Sequence, residues 1–248
     1  MLAEFAGLID ELPATILLPL PSTGIAPASD EHTVDGLILG PATVLVAVPF
    51  RSGSSVSVCV VDASLLQSSR LDTFDPSVHW TRITGPLDGT GVDASPAWGR
   101  ALATAHRSLA AELVSVADTA LHTAIEHVSS RVQFGTAIGA LQAPRHALAD
   151  AAAQLEAARA MLSESWRTAA PLQAQLAKAS AGRAHRWVAD AALQVCGAIG
   201  LTAEHRLHRY AAGESSSTRY AVRTEPWKRI SPTSSSARRL RVRLYPRS

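Results

Sequence analysis

"ALATAHRSLAAELVSVADTALHTAIEHVSSRVQFGTAIGALQ", residues 101–142, decides how the rest of the chain is read. Within it Leu102, Ala105, Leu109, Leu113, Val116, Ala120, Ala124 and Val128 recur at steps of three and four. That spacing is one face of a helix, an apolar stripe of roughly seven turns. The character then changes: Arg131, Gln133, Phe134, Gly135, Gly139 and Gln142 fall within twelve positions. On residue type alone this is a turn, in which Gly135 and Gly139 bend the chain, Phe134 fills a gap and Arg131 is solvated. A second reading stands beside it. Gln142 opens the next helix, and helix starts expose free N–H groups and a positive dipole end. An arginine, neutral amides and such a terminus suit a diphosphate or an adenine ribose.

Downstream, a second stripe runs through Ile138, Leu141, Leu148, Ala152, Leu155, Ala158 and Leu162. Pro144 lies in its first turns, where proline is tolerated best. Pro171 opens a third helix whose Leu172, Leu176, Val188, Ala191 and Val195 are expected to face inward, and "CGAIGLT" (196–202) ends it with glycines. Long helices with short connections predict an antiparallel bundle.

Upstream of residue 97 the period is different. "ATILLPLP", "GLILG", "TVLVAVPF" and "SVSVCVVDAS" are short apolar runs between breakers and read as strands. "LDTFDPSVHWTRITG" reads as a further strand pair turning at Asp75-Pro76. The fold class is therefore α+β, mainly α: a reduced β region over 1–97, a helical bundle over 98–212, and a tail over 213–248. The tail has no clear stripe, and from Pro226 to Ser248 it carries seven basic residues and no acidic one. It is expected to be basic and mostly disordered.

Composition excludes several function classes. Apolar residues at 47% and charged residues at 18% suit a globular protein, and a net charge of +2 is too small to imply a polyanion partner. Neither nucleic acid nor membrane is expected as a partner. The two cysteines, Cys59 and Cys196, have no metal-ligand or disulfide spacing, which fits a reducing cytoplasm. "EHRLH" (Glu204, His205, His208) offers too few ligands for a metal, so none is expected. The N-terminus lacks the basic region of a signal peptide, and no apolar run reaches the roughly 18–20 residues needed to span a bilayer. The "GTG" at Gly89–Gly91 lacks the strand–helix context of a dinucleotide fingerprint and reads as a turn.

Two longer segments carry a resemblance. "RVQFGTAIGALQAPRHALADAAAQLEAARAML" (131–162) and "AKASAGRAHRWVADAALQVCGAIGLTAEHRLHRY" (177–210) resemble the C-terminal helical domain of the acyl-CoA dehydrogenase family. The family's Arg-x-x-Phe-Gly turn, the Gln eleven residues after the Arg, a later Ala-Lys, and a Gln-x-x-Gly-Gly-x-Gly run fall on Arg131, Phe134, Gly135, Gln142, Ala177, Lys178, Gln194, Gly197 and Gly200. The resemblance covers about residues 100–210 and is weaker over 33–95. It implies FAD, held across a subunit interface. The implied contacts to its adenosine-diphosphate part are Arg131, Gln133, Phe134 and Gln142. Gln194, Gly197 and Ala198 are implied to reach the same region from the other subunit. Ala198 departs from the family's usual glycine, and its methyl would crowd a close backbone approach.

The resemblance also implies α,β-dehydrogenation of an acyl-CoA thioester, with a glutamate removing the α-proton. That glutamate is not found. Its late position falls in "RYAVRT" (219–224), and Glu214 and Glu225 are out of register. Its early position falls on Ala105, and the adjacent His106 reads as a surface histidine. The catalytic residue is therefore unknown. The chain also begins with a strand-like segment where the family has a further helical domain. Three functions remain in view. The first is an FAD-binding dehydrogenase subunit, in a homo- or hetero-oligomer completed by a full acyl-CoA dehydrogenase. The second is a truncated, non-enzymatic scaffold or pseudoenzyme. The third is a binding protein that acts through its basic tail.

Overall fold

A computed structural model describes residues 1–9, 13, 15–20, 26–41, 44–71, 79–202, 205–207 and 210. The Asp75-Pro76 turn, Glu204, His208 and the tail lie outside the described residues. Among those described, the chain is α+β and mainly α.

Small strands come first. β1 (Thr15–Ile16), β3 (Leu45–Ser52), β4 (Ser55–Asp62) and β7 (Val92–Asp93) form one sheet in the order β1-β3-β4-β7. β2 (Thr33–Leu39), β5 (Gln67–Leu71) and β6 (Trp80–Pro86) form another in the order β2-β6-β5. Leu17, Val34, Ile38, Val46, Val48 and Ile83 fill the space between them. Isolated bridges Leu18–Leu37 and Asp30–Arg51 tie the sheets together. Gly36 makes the first bridge possible, because a Cβ there would lie 2.7 Å from the carbonyl oxygen of Leu18. The apolar runs read as strands correspond to β1 to β4 and β6. The expected strand pair is present as β5 with β6, but β5 lies upstream and meets the quoted segment only at Leu71: "QSSRL" is almost wholly exposed, so its sequence is set by water and not by a core. The "GTG" turn is held by the Asp88 carboxylate, which accepts from the N–H and hydroxyl of Thr90.

Three long helices follow: α1 (Ser95–Ser130), α2 (Gln142–Thr168) and α3 (Pro171–Cys196). A hairpin, β8 (Val132–Gln133) with β9 (Thr136–Ala137), and a 3-10 turn (Ile138–Ala140) separate α1 from α2. Between α2 and α3 the turn is two residues long. Ala169 is left-handed at φ 56°, and Pro171 holds Ala170 extended, so the chain reverses at once. The helices run up, down and up, which places the C-terminal ends of α1 and α3 together.

The bundle core is rich in alanine. Ala110, Ala117, Ala120 and Ala124 of α1 are buried with Ala177, Ala181, Ala184 and Ala192 of α3, and Leu113, Leu121, Val128, Leu148, Leu155 and Val188 supply bulk. The N-terminal part of α1 serves a different core. Ala97, Trp98 and Ala101 pack with Phe5, Ala47 and Val58. One continuous helix therefore joins the strands to the bundle.

Two expectations about faces change. Leu172 and Leu176 are exposed (60% and 46%), and the inward face of α3 is Ala174, Ala177, Lys178, Ala181, Ala184, His185 and Val188. Leucines mark the wrong face here because α3 meets α1 at a separation that suits alanine. His106 is buried, at 1% exposure. It shares a face with Ala103, Ala110, Leu113 and Ala117, all buried at helical spacing from it. Its neighbour Arg107 is buried as well. Arg107 donates from Nε to the Ser165 carbonyl at 3.0 Å and lies 5.4 Å from the Trp166 ring, near the C-terminal end of α2. That end attracts a cation.

Two outcomes follow from this core. Leu155 is 1% exposed, and Leu155→Ala should lower stability in urea by about 2–5 kcal/mol. Burial, then Arg186, lowers the Lys178 ammonium pKa from its ordinary 10.5 to about 8. The unfolded chain therefore keeps a proton that the folded one sheds between those values. Stability from this group rises from pH 8 to 10.5 and is lost as pH falls back through 8. Lys178→Met should flatten that rise in denaturation midpoints measured across the same pH range.

Candidate functional site

The end of the bundle where α1 and α3 finish carries most of the residues expected to bind. α1 stops at Ser130, and Arg131 leaves the helix extended (φ −77°, ψ 118°), with its N–H still bonded to the His127 carbonyl. The Arg131 carbonyl then accepts from the Ile138 N–H at 2.9 Å. This bond closes the hairpin at its base and brings the segment back to Arg131 before α2 begins. Val132 pairs with Ala137 and Gln133 with Thr136. The hairpin tip is Phe134-Gly135, both left-handed at φ 55° and 78°, as a two-residue reversal requires.

Arg131, Gln133, Phe134 and Gln142 are all exposed. Phe134 is 92% exposed, so it does not fill a gap in its own chain. Gln142 is the first residue of α2, whose N-terminus has no side-chain cap. The first-turn amides, Pro144 excepted because it has no N–H, therefore lack a side-chain acceptor and suit an anionic ligand. Behind the hairpin, a cleft of about 460 Å³ is lined by Ile125, Val128, Ser129, Ala137, Gly139, Arg145 and Leu148. Gly139 permits this arrangement, because a Cβ there would lie 3.1 Å from the Val128 carbonyl oxygen.

The second motif ends α3. Gln194 is exposed in the last turn, and Gly197 caps the helix at φ 65°, ψ −150°. Only glycine adopts that conformation freely. A Cβ at Gly197 would meet nothing within 4 Å, so the backbone there borders open space. Ala198 is exposed within the 3-10 turn Gly197–Leu201. Gly200 has a packing role, since a Cβ there would meet Leu207 at 3.1 Å and Cys196 at 3.2 Å. One chain carries both motifs at the same end of its bundle.

Sequence reasoning missed how the two motifs are joined. His127, Cys196 and His205 place one ligand atom each within 4.8 Å of one another. The rings of His127 and His205 meet edge to face at 5.8 Å. Burial, then His205, then Arg131 lower the pKa of His127, and burial raises the Cys196 thiol. The signal available in sequence was positional. His127 lies in the last turn of the first helix and Cys196 at the end of the third, and those ends coincide in an up-down-up bundle.

Fold and sequence agree on a class, a helical bundle following a small β region, and the comparisons name it. Residues 98–218 match the family model for the acyl-CoA dehydrogenase C-terminal domain. This helical region is an acyl-CoA dehydrogenase C-terminal domain. It is 37% identical over 107 residues to acyl-CoA dehydrogenase IpdE2 of Mycobacterium tuberculosis, covering 43% of this chain and 34% of that protein. It is 28% identical over 225 residues to IpdE2 of Mycolicibacterium smegmatis, covering 84% of this chain and 71% of that one. Glutaryl-CoA dehydrogenase from Mycobacterium smegmatis has the same fold (TM-score 0.72, 22% identity, 89% of this chain, 68% of that one). So does a chain of the ChsE4-ChsE5 complex from Mycobacterium tuberculosis (TM-score 0.65, 22% identity, 82% of this chain, 60% of that one).

The two backbone extremes of this site should respond in opposite ways. Phe134→Gly removes an exposed ring and a left-handed strain of about 1–2 kcal/mol, so urea stability should hold or rise. Gly197→Ala adds one methyl in open space, yet should lower stability by about 1–3 kcal/mol through backbone strain alone.

Proposed function

We propose that this chain is an FAD-holding subunit of an acyl-CoA dehydrogenase assembly, completed by a second, catalytically equipped chain. One observation carries the reading: exposed Arg131, Gln133 and Gln142 share a bundle end with the open backbone of Gly197. These groups fit the adenosine-diphosphate part of the cofactor. Arg131 offers a charged, forked donor to the diphosphate. The uncapped start of α2 offers backbone N–H groups to the same anion. Gln133, Gln142 and Gln194 are neutral partners for ribose and adenine. Phe134 offers a ring face, and Gly197 and Ala198 line the far side. When bound, the flavin supplies the hydride acceptor for α,β-dehydrogenation.

The assembly is part of the proposal because the proton chemistry is incomplete. The α-proton needs a base within hydrogen-bond reach. Ala105 has no such group, and buried His106 cannot reach an external substrate. "RYAVRT" contains no carboxylate. The ChsE4-ChsE5 complex, which shares the fold, is an assembly of two named chains. The exposed Phe134, Val132, Ile199 and Leu201 give this end an apolar rim for such contact. A non-enzymatic scaffold is the second reading, favoured by the same missing base.

The visible spectrum of the purified chain, alone and co-expressed with a complete dehydrogenase, separates the two readings. Flavin absorbance is expected on co-expression and not in the lone chain. Absence under both conditions would leave the scaffold. In the assembly, Arg131→Ala should weaken flavin retention by about 1.5–3 kcal/mol, roughly ten- to a hundredfold, without changing the melting of the bundle. Unfolding of this variant would make Arg131 a structural residue.

A further inference from the structure

We propose that His127, Cys196 and His205 form a His2Cys site for a zinc-class divalent cation that pins the C-terminal ends of α1 and α3 together. The inference does not rest on the flavin reading, because none of the three residues is assigned to the cofactor.

Geometry comes first. The three residues come from three separate places: the last turn of α1, the final residue of α3, and the segment after the 3-10 turn Gly197–Leu201. Their ligand atoms are nonetheless within 4.8 Å of one another. Zinc bonds of about 2.0–2.3 Å to imidazole and thiolate put tetrahedral ligands roughly 3.3–3.8 Å apart, so closure needs side-chain shifts of about an ångström. Rotation about the side-chain bonds of His127 and Cys196 supplies such shifts without moving a helix.

A second observation points to a ligand independently of the clustering. The Nε2 of His127 is buried and has no hydrogen-bond partner among the described residues. A buried polar nitrogen without a partner is uncommon and calls for an explanation. A metal ion supplies one, because a neutral imidazole nitrogen is a ligand without further change.

The electrostatics favour the ligand forms. Burial, then His205 and Arg131, lower the His127 pKa and so favour its neutral, ligating imidazole. The Cys196 thiol, held protonated by burial, loses its proton to solvent when the cation binds. One thiolate and two neutral imidazoles then leave a net charge of +1 on a divalent ion. His205 accepts the Leu207 N–H at Nδ1 over 3.2 Å, and loading gives up that bond. The exchange trades a long side-chain contact to backbone for a coordinate bond. Sulfur with two imidazoles selects zinc or cobalt over magnesium or calcium. Three protein ligands leave a fourth position, to be filled by water or by another group of the assembly.

The effect on the protein follows from position. Arg131 is one helical turn beyond His127, and Gly197 directly follows Cys196. A cation at this point ties the two motifs into one rigid ledge.

The test uses the untagged full-length chain, reduced and stripped with a chelator, titrated with Co2+. A saturable, equimolar thiolate-to-cobalt charge-transfer band is expected, displaced by Zn2+, with a higher melting midpoint for the loaded protein. The band should vanish in Cys196→Ser and persist in Cys59→Ser. Cobalt affinity should fall about tenfold or more in His127→Gln and His205→Gln. Circular dichroism of each metal-free variant checks that it folds. If Cys196→Ser does not fold, the two histidine variants decide the matter by their affinities. A folded wild type without the band overturns the proposal, as does a band that survives in Cys196→Ser or is lost in Cys59→Ser. Unchanged affinity in both histidine variants also overturns it.

Discussion

The packing of α1 on α3 is the constraint on which the rest depends. Alanines at the contact let the two backbones approach closely, and little side-chain entropy is lost on burying them. A close helix pair tolerates almost no change of register, because a methylene has nowhere to go. The register fixes where each helix ends. It thereby places Arg131 and Gly197, which are remote in sequence, at one end of the bundle. The same helix α1 runs back into the core of Phe5, Ala47 and Trp98, so the strands are oriented by it as well.

This explains what could be read from sequence and what could not. Strand position was legible where a run was apolar on both sides, as in "TVLVAVPF", and was misplaced for β5, whose residues meet water. Helix existence and ends were legible from Pro171, Pro144 and the glycines after Cys196, because those residues act through their own backbone. Helix faces were legible less well. The stripe through Leu102, Ala105, Leu109 and Val116 is only half-buried, and the buried line is Ala103, Ala110, Leu113, Ala117, Leu121 and Ala124. When alanine is the residue that fits, hydrophobicity ranks the faces wrongly, and Leu172 and Leu176 end on the surface.

The polar residues inside the bundle follow the same logic. Arg107 is buried near the C-terminal end of α2, where free carbonyls attract a cation, and Ser165 and Trp166 receive its two faces. Lys178 and His185 lie on the inward face of α3 among alanines. Small neighbours make that possible, since alanine leaves room for a long side chain to lie along the helix. A histidine or arginine within an apolar stripe therefore cannot be placed outside by its type alone, which is how His106 was misjudged.

Strain at the site is unevenly distributed, and its distribution is informative. Phe134 is an aromatic residue in a left-handed conformation and 92% exposed, so its ring gains no packing in its own chain, and the β8–β9 hairpin alone holds it there. A fold under selection for stability alone would place glycine or asparagine there. Gly197 shows the reverse, a residue chosen for its backbone where no neighbour crowds it. Both departures lie at the bundle end that carries Arg131, and neither serves the core. Each conformation serves a local reversal of the chain, the hairpin tip for Phe134 and the end of α3 for Gly197.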